Sequence, residues 1–197
     1  MATAAQNLPL RRLSVTQYHA LGECGALRQD ERVELLEGLI VQMSPRSPAH
    51  EAALLWLDYW LKDRLDPALF KVRVGAPLTL ADSEPEPDIS VCSSHQIGLR
   101  SHPTGAALVI EVAYSSRDYD LSVKPRIYAR AVQEYWVCDL AAQRFVVFSK
   151  RSAQGYDERR EVGRGELLHA GCLPLPALPI AELFAAAHAE TAHAARR

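Results

Sequence analysis

Asp88, Glu111 and Lys124 are the residues of this chain whose types and spacing could do chemistry. Asp88 follows Pro87 at the head of one apolar run, Glu111 interrupts a second from Ala106 to Ala113, and Lys124 lies beyond it. In an extended strand Leu108, Ile110 and Val112 face one way, and Ala107, Val109 and Glu111 the other. A carboxylate in such a row is costly to bury unless a cation or several hydrogen bonds receive it. Alone, Pro-Asp is an ordinary turn dipeptide, and Glu111 could reach solvent or a structural arginine from a strand end. The pair says more. Two ionised carboxylates about 4 Å apart repel by roughly 4 kcal/mol at an effective dielectric near 20, so bringing them together calls for a counter-charge. All-oxygen donors favour Mg²⁺, Mn²⁺ or Ca²⁺ over zinc, and Mg²⁺ keeps most of its waters. Such an ion polarises a phosphate and lowers the pKa of an attacking water. A lysine in the first turn of a helix opposes the helix dipole, so Lys124 has the wrong charge for a cap and the right one for an acidic site or an anionic substrate. There it would hold the attacking water or stabilise charge growing on the phosphate. The expected activity is phosphodiester cleavage, with Asp88 and Glu111 as metal ligands.

The elements that must position these groups are legible from periodicity. Ser14 or Thr16 caps a short helix carrying Tyr18, Leu21 and Leu27, which Gly22 and Gly25 weaken. Arg32 to Met43 reads as a β-hairpin turning at Glu37-Gly38. From Ala49 to Leu65, apolar residues recur at three and four, as in a helix packed on a sheet. Strands are expected at 70–74, 77–80, 88–92 and 106–113, the last with the continuous apolar character of a central strand. Ser122 is expected to cap a helix through Val132, since Pro125 is tolerated only in a first turn. Further strands follow at 134–139 and 145–149, with an edge strand at 156–162. The proline-rich stretch after Gly171 reads as a surface connection, and a final helix starts at Ile180–Phe184. Interleaved strands and helices with flanking hairpins predict an α/β/α sandwich around a mixed sheet.

At 197 residues the chain is long enough for one substantial core. We divide it into an N-terminal arm (1–12), a single domain (13–185) and an Ala/His-rich tail (186–197). The four cysteines are widely separated and form no C-x-x-C pair, so reduced core thiols are expected rather than a zinc site. No basic segment followed by an apolar core opens the chain, and no apolar run reaches membrane-spanning length, so a cytoplasmic protein is expected. With a formal charge of −2 there is no long-range steering toward DNA, and any contact must come from a local basic patch. Basic residues at 124, 126, 130, 144, 150 and 151 could line such a path or form a solvated face.

At these residues the sequence resembles the PD-(D/E)XK nuclease superfamily and, more closely, the Uma-type restriction endonucleases, a bacterial group also catalogued as a domain of unknown function. The carrying motifs are Val33-Glu-Leu-Leu-Glu-Gly38, Met43-Ser-Pro, Ser47-Pro-Ala-His50, Glu86-Pro-Asp88, Val109-Ile-Glu-Val112 with Ser115-Ser116, Asp120 with Lys124 and Tyr128-Ala129, and Glu134-Tyr-Trp136. The resemblance implies a restriction-endonuclease-like sandwich and Mg²⁺-dependent (or Mn²⁺-dependent) DNA hydrolysis, by analogy as a homodimer. Asp88 and Glu111 would be ligands, and Lys124 a lysine moved from the strand, where Ala113 stands, to the next helix. Glu34 matches an acidic residue that often joins such a site, with Glu37 as the alternative. His50, Arg126 and Arg130 are the substrate-binding candidates, although His50 could equally cap or pack at a helix start. Where the family carries glycine before the Glu-Tyr-Trp segment, this chain has Ala131-Val-Gln133. Alternative activities are DNA repair or junction resolution on the same fold, or a non-catalytic interaction module.

Overall fold

The computed structural model describes residues 9–194 apart from Gln29, Leu99 and Ser115, with side chains up to residue 187. Residues 1–8 of the expected arm, Ser115 of the motif set and residues 195–197 of the expected tail lie outside the described residues. In chain order the elements are α1 (Val15–Glu23), β1 (Val33–Leu36), β2 (Leu39–Gln42), α2 (Pro48–Arg64), β3 (Phe70–Val74), β4 (Ile89–Ser93), β5 (Ala106–Ala113), α3 (Arg117–Ser122), α4 (Lys124–Tyr128), β6 (Val132–Asp139), β7 (Arg144–Ser152), β8 (Gly155–Gly163) and α5 (Ile180–Ala194).

Local chemistry explains most of the boundaries. Ser14 caps α1 in a reciprocal capping box with Gln17. Glu37 and Gly38 both take positive φ, 46° and 77°, the pair of left-handed residues that a tight two-residue hairpin needs between β1 and β2. Ser47 caps α2, accepting from the His50 amide, and Pro48 occupies the first turn. The α2 residues Ala53, Leu57 and Leu61 are fully buried, as their spacing predicts.

Six strands form one sheet in the order β3-β4-β5-β6-β7-β8. β5 and β6 are parallel, joined by α3 and α4, and every other pair is antiparallel. The β1–β2 hairpin is separate from this sheet and is tethered by a bridge between Leu35 and Glu84. On one face α2 and α5 pack with Leu108, Ile110, Val112, Trp136 and Phe145. On the other, Ile127 and Tyr128 of α4 pack with Val109, Tyr135 and Val137. This is the α/β/α arrangement with a central mixed sheet. No described helix is long and apolar enough to cross a membrane.

Two expectations are corrected, a helix and a strand, and two others are refined. The helix expected from Ser122 to Val132 is two short helices: Ser122 ends α3, Val123 is the junction, and Val132 opens β6. Pro125 has no N–H to continue α3, so the chain restarts with the proline in the new first turn. The segment Pro77–Leu80 is not a strand, because Leu78, Thr79 and Leu80 donate to three separate loop carbonyls, of Pro85, Pro103 and Ser83, rather than to one ladder. The proline-rich connection is anchored, with Leu173 and Leu178 buried in the core beneath it and Leu178 bridged to Leu168. The last helix continues to Ala194, into residues assigned to the tail. Ala131 is not among the positive-φ residues, so its turn needs none of glycine's freedom. The close approach falls on Gly105 instead, where a Cβ would lie 2.5 Å from the Ala131 carbonyl oxygen.

Candidate active site

The register of the sheet brings the two acids together. β4 pairs with β5 so that Ile89 opposes Ile110, which places Asp88, one residue before, opposite Glu111. Each acid clasps the other's strand: the Asp88 amide donates to Glu111 Oε2 at 3.3 Å, and the Val112 amide donates to Asp88 Oδ2 at 2.9 Å. Glu111 points to the α3–α4 side, where α4 delivers Lys124 from its first position. Lys124 Nζ lies 2.8 Å from Glu111 Oε1, 3.4 Å from Glu34 Oε1 and 3.4 Å from Asp120 Oδ1. Glu34 arrives from β1 and also receives the Glu86 amide at 3.2 Å. Tyr128, one turn beyond Lys124, donates to Glu111 Oε1 at 2.8 Å.

The fourth wall is the N-terminus of α2. His50 Nε2 lies 3.0 Å from Asp88 Oδ2, and its buried Nδ1 has no partner among the described residues. Arg46, in the loop before α2, sets Nη2 3.5 Å from Asp88 Oδ1. Glu34, Arg46, His50, Asp88, Glu111, Asp120 and Lys124 line one cleft of about 380 Å³ together with Arg32, Tyr114, Ser116 and Tyr119, while Tyr128 lies behind it.

The electrostatics follow from burial. Burial opposes ionisation of Asp88, but the hydrogen bond and charge of His50, the Val112 amide and Lys124 outweigh it and hold the carboxyl below its usual range. Burial pushes Glu111 the other way, up to about 8, because Asp88, Asp120 and Glu34 add repulsion that Lys124 only partly offsets. Asp120 is likewise raised by burial, against Lys124 and the Ser116 hydroxyl. Burial alone would lower Lys124, yet Glu111, Glu34 and Asp120 hold it well above its ordinary value, so it stays an ammonium. Several carboxylates thus share one ammonium.

Whether these donors suit a divalent ion is read from their free lone pairs. Asp88 Oδ2 and Glu111 Oε1 are each taken by two donors. Among the described residues Asp88 Oδ1 faces only the loose Arg46 contact, and Glu111 Oε2 only the 3.3 Å amide of Asp88. Each acid therefore keeps one lightly engaged oxygen in the same cleft. Among the described residues no group of three or more His, Cys, Asp or Glu side chains is arranged to hold a metal ion. The set fits a hard ion held by two carboxylates and water, as Mg²⁺ is, and does not fit zinc.

Not every expected residue comes to the cleft. Arg126 and Arg130 lie beside a different depression and are occupied, with Arg126 on Glu37 at 2.6 Å and Arg130 on Asp82 at 2.7 Å and on Glu37. Glu37 is thereby committed away from the site, which Glu34 reaches. Arg144 pairs with Asp139 and Glu161, and Lys150 with Glu158, so the suggested basic path is largely neutralised within the chain. Sequence reasoning gave no role to Arg46 or to the Tyr128 hydroxyl. Tyr128 sits in the motif that opens with Asp120, one turn after Lys124, and that spacing could have marked it as a second donor to Glu111. Arg46 lies in the Pro-Arg-Ser-Pro breaker, where only the folded loop shows where it points.

Comparison with known proteins matches a family model described as "Uma2: Putative restriction endonuclease" over residues 15–181. A crystal structure of a "putative nuclease belonging to DUF820" from Anabaena variabilis superimposes with a TM-score of 0.66 at 17% identity, covering 89% of this chain and 99% of that one. The type IIG restriction endonuclease BpuSI aligns with a TM-score of 0.36 at 14% identity, over 73% of this chain and 15% of that one, too low to bear on the fold. No curated protein matches the chain.

Proposed function

The chain belongs to the Uma2 "Putative restriction endonuclease" family, and on that premise we propose that it hydrolyses DNA phosphodiester bonds with a divalent ion held by Asp88 and Glu111. One observation carries the reading. Two buried carboxylates, one just before β4 and one in β5, lie side by side in one cleft, each with one oxygen taken by two donors and the other lightly engaged.

Asp88 and Glu111 would hold Mg²⁺ or Mn²⁺, which would supply Lewis-acid polarisation of the phosphate and a more acidic attacking water. The chain's own groups do the rest. Lys124, held as an ammonium by three acids, cannot take a proton, so its part is to orient the nucleophile and meet charge developing on phosphate oxygens. Glu34 and Asp120 fix that ammonium from β1 and α3, and Tyr128 fixes Glu111. His50 fixes Asp88 by occupying Oδ2, which leaves Oδ1 facing the cleft. Cutting both strands of a duplex calls for two such clefts, so we read the working unit as a dimer.

The test is cleavage of supercoiled plasmid in Mg²⁺ or Mn²⁺ by wild type, Asp88→Ala and Glu111→Gln. We expect nicked and linear products from wild type and a loss of at least about 100-fold in both variants, in line with removing a group that acts only in the transition state. Equal cutting by Asp88→Ala would assign the activity to a contaminant. A wild type inert with every ion would return the chain to the interaction-module reading.

A further inference from the structure

Resting on that nuclease reading, we propose that Arg46 is the residue that grips the substrate phosphate in the cleft. Its donors are placed and only loosely engaged. Nη2 stands 3.5 Å from Asp88 Oδ1 and Nη1 3.6 Å from Glu51 Oε1, both beyond ordinary hydrogen-bond length. The buried Nε has no hydrogen-bond partner among the described residues. With the side chain 26% exposed, Nε is withdrawn from water without an acceptor, while Nη1 and Nη2 each keep only a long contact to a carboxylate. Of the other cations nearby, Lys124 is already shared among three carboxylates, and Arg32 donates through Nη1 to the Ser44 carbonyl at 3.1 Å.

The surroundings hold Arg46 where it is. Ser44-Pro-Arg-Ser-Pro48 links β2 to α2, with prolines on either side restricting the loop. Across from it Gly75, at φ 51°, follows β3 and donates to the Asp88 carbonyl at 3.0 Å. A Cβ at Gly75 would come within 3.0 Å of Arg46 Nη2. The backbone therefore leaves a slot for the guanidinium beside the acid expected to hold the ion. With Asp88 Oδ1 engaged elsewhere, Arg46 would lose its cleft-side partner and have a planar fork of donors free for an anion in the cleft. A tetrahedral oxyanion such as the scissile or neighbouring phosphate meets that fork bidentately, and a lysine could not reproduce it.

The experiment measures binding of a fluorescein-labelled DNA duplex by anisotropy in Ca²⁺, across a salt series, for wild type, Arg46→Ala and Arg46→Lys, alongside Mn²⁺ affinity by electron paramagnetic resonance. Arg46→Ala should bind the duplex about 10- to 100-fold more weakly, the loss of a charge-assisted hydrogen bond. It should also lower the slope of log affinity against log salt by about one, as expected when a single phosphate is left without its cationic partner. Arg46→Lys should restore the slope and only part of the affinity, and Mn²⁺ affinity in Arg46→Ala should equal or exceed wild type. Duplex affinity within twofold of wild type, an unchanged salt slope, or Mn²⁺ affinity falling in parallel with duplex affinity would overturn the proposal. If duplex binding depends on Arg46 as described but wild type cuts no plasmid, the phosphate contact stands and the nuclease reading falls. A wild type that binds no duplex sinks both.

Discussion

Glu111 is the residue on which the local energetics turn. Its carboxyl rises from the usual range to about 8 in the folded chain, because burial and three neighbouring acids outweigh Lys124. The folded state therefore holds a proton that the unfolded chain has released, and stability falls as pH rises between those two values. Thermal unfolding in EDTA should show the melting temperature declining from about pH 5 to pH 8, with a limiting slope of roughly 1.4 kcal/mol per pH unit. In Glu111→Gln, which keeps the shape and cannot ionise, the decline over the same window should be visibly shallower. An unchanged slope would place the proton elsewhere. Tyr128→Phe probes the same carboxylate from its donor side, since the ring stays packed on Tyr135 while the 2.8 Å bond to Glu111 is removed. Urea unfolding should register a cost of about 1–2 kcal/mol with the fold retained. At this scale the acids and the lysine were readable, because a charged residue inside an apolar run or at a helix start conflicts with its neighbours. Arg46 was not, since an arginine between two prolines conflicts with nothing until the loop is folded.

The elements act as brackets for these side chains. β4 and β5 set the acids by register alone, so no loop geometry intervenes between Asp88 and Glu111. Glu34 depends on the β1–β2 hairpin, and the hairpin depends on Gly38. Its φ is 77°, and a Cβ there would lie 2.5 Å from the Arg12 Cβ and 2.9 Å from the Leu13 carbonyl. Gly38→Ala should cost more than about 1 kcal/mol in urea unfolding and weaken catalysis by displacing Glu34, whereas a neutral outcome would show that the hairpin adapts. Strands with apolar runs and the long helix α2 were legible because periodicity survives burial. The α3–α4 break was not, although Pro125 was recognised: the sequence showed where a helix could start, and only packing against β6 decided that a separate short helix should precede it. The strand expected at 77–80 failed for a related reason, since apolar residues there fill the core from a loop whose amides find scattered partners.

Across the whole molecule, charge is balanced internally. Arg126, Arg130, Arg144 and Lys150 each have an acidic partner, in keeping with a net charge of −2. A double substitution Arg126→Ala/Arg130→Ala should leave plasmid cleavage within about twofold of wild type and lower stability by no more than about 1 kcal/mol, as partly exposed ion pairs do. A large drop in DNA affinity in that variant would restore those arginines to the substrate path. The sandwich was legible from the alternation of strands and helices, whereas the pairing of surface charges was not, because sequence gives sign without direction. The most direct measurement for the whole account is a crystal grown or soaked in Mn²⁺, with diffraction recorded to locate the ion by its anomalous signal. One strong peak within ligand distance of both Asp88 Oδ1 and Glu111 Oε2, absent in Asp88→Ala, is the predicted result. No peak at millimolar Mn²⁺, or a peak bound by other residues while this pair stays closed on Arg46 and Lys124, would contradict it.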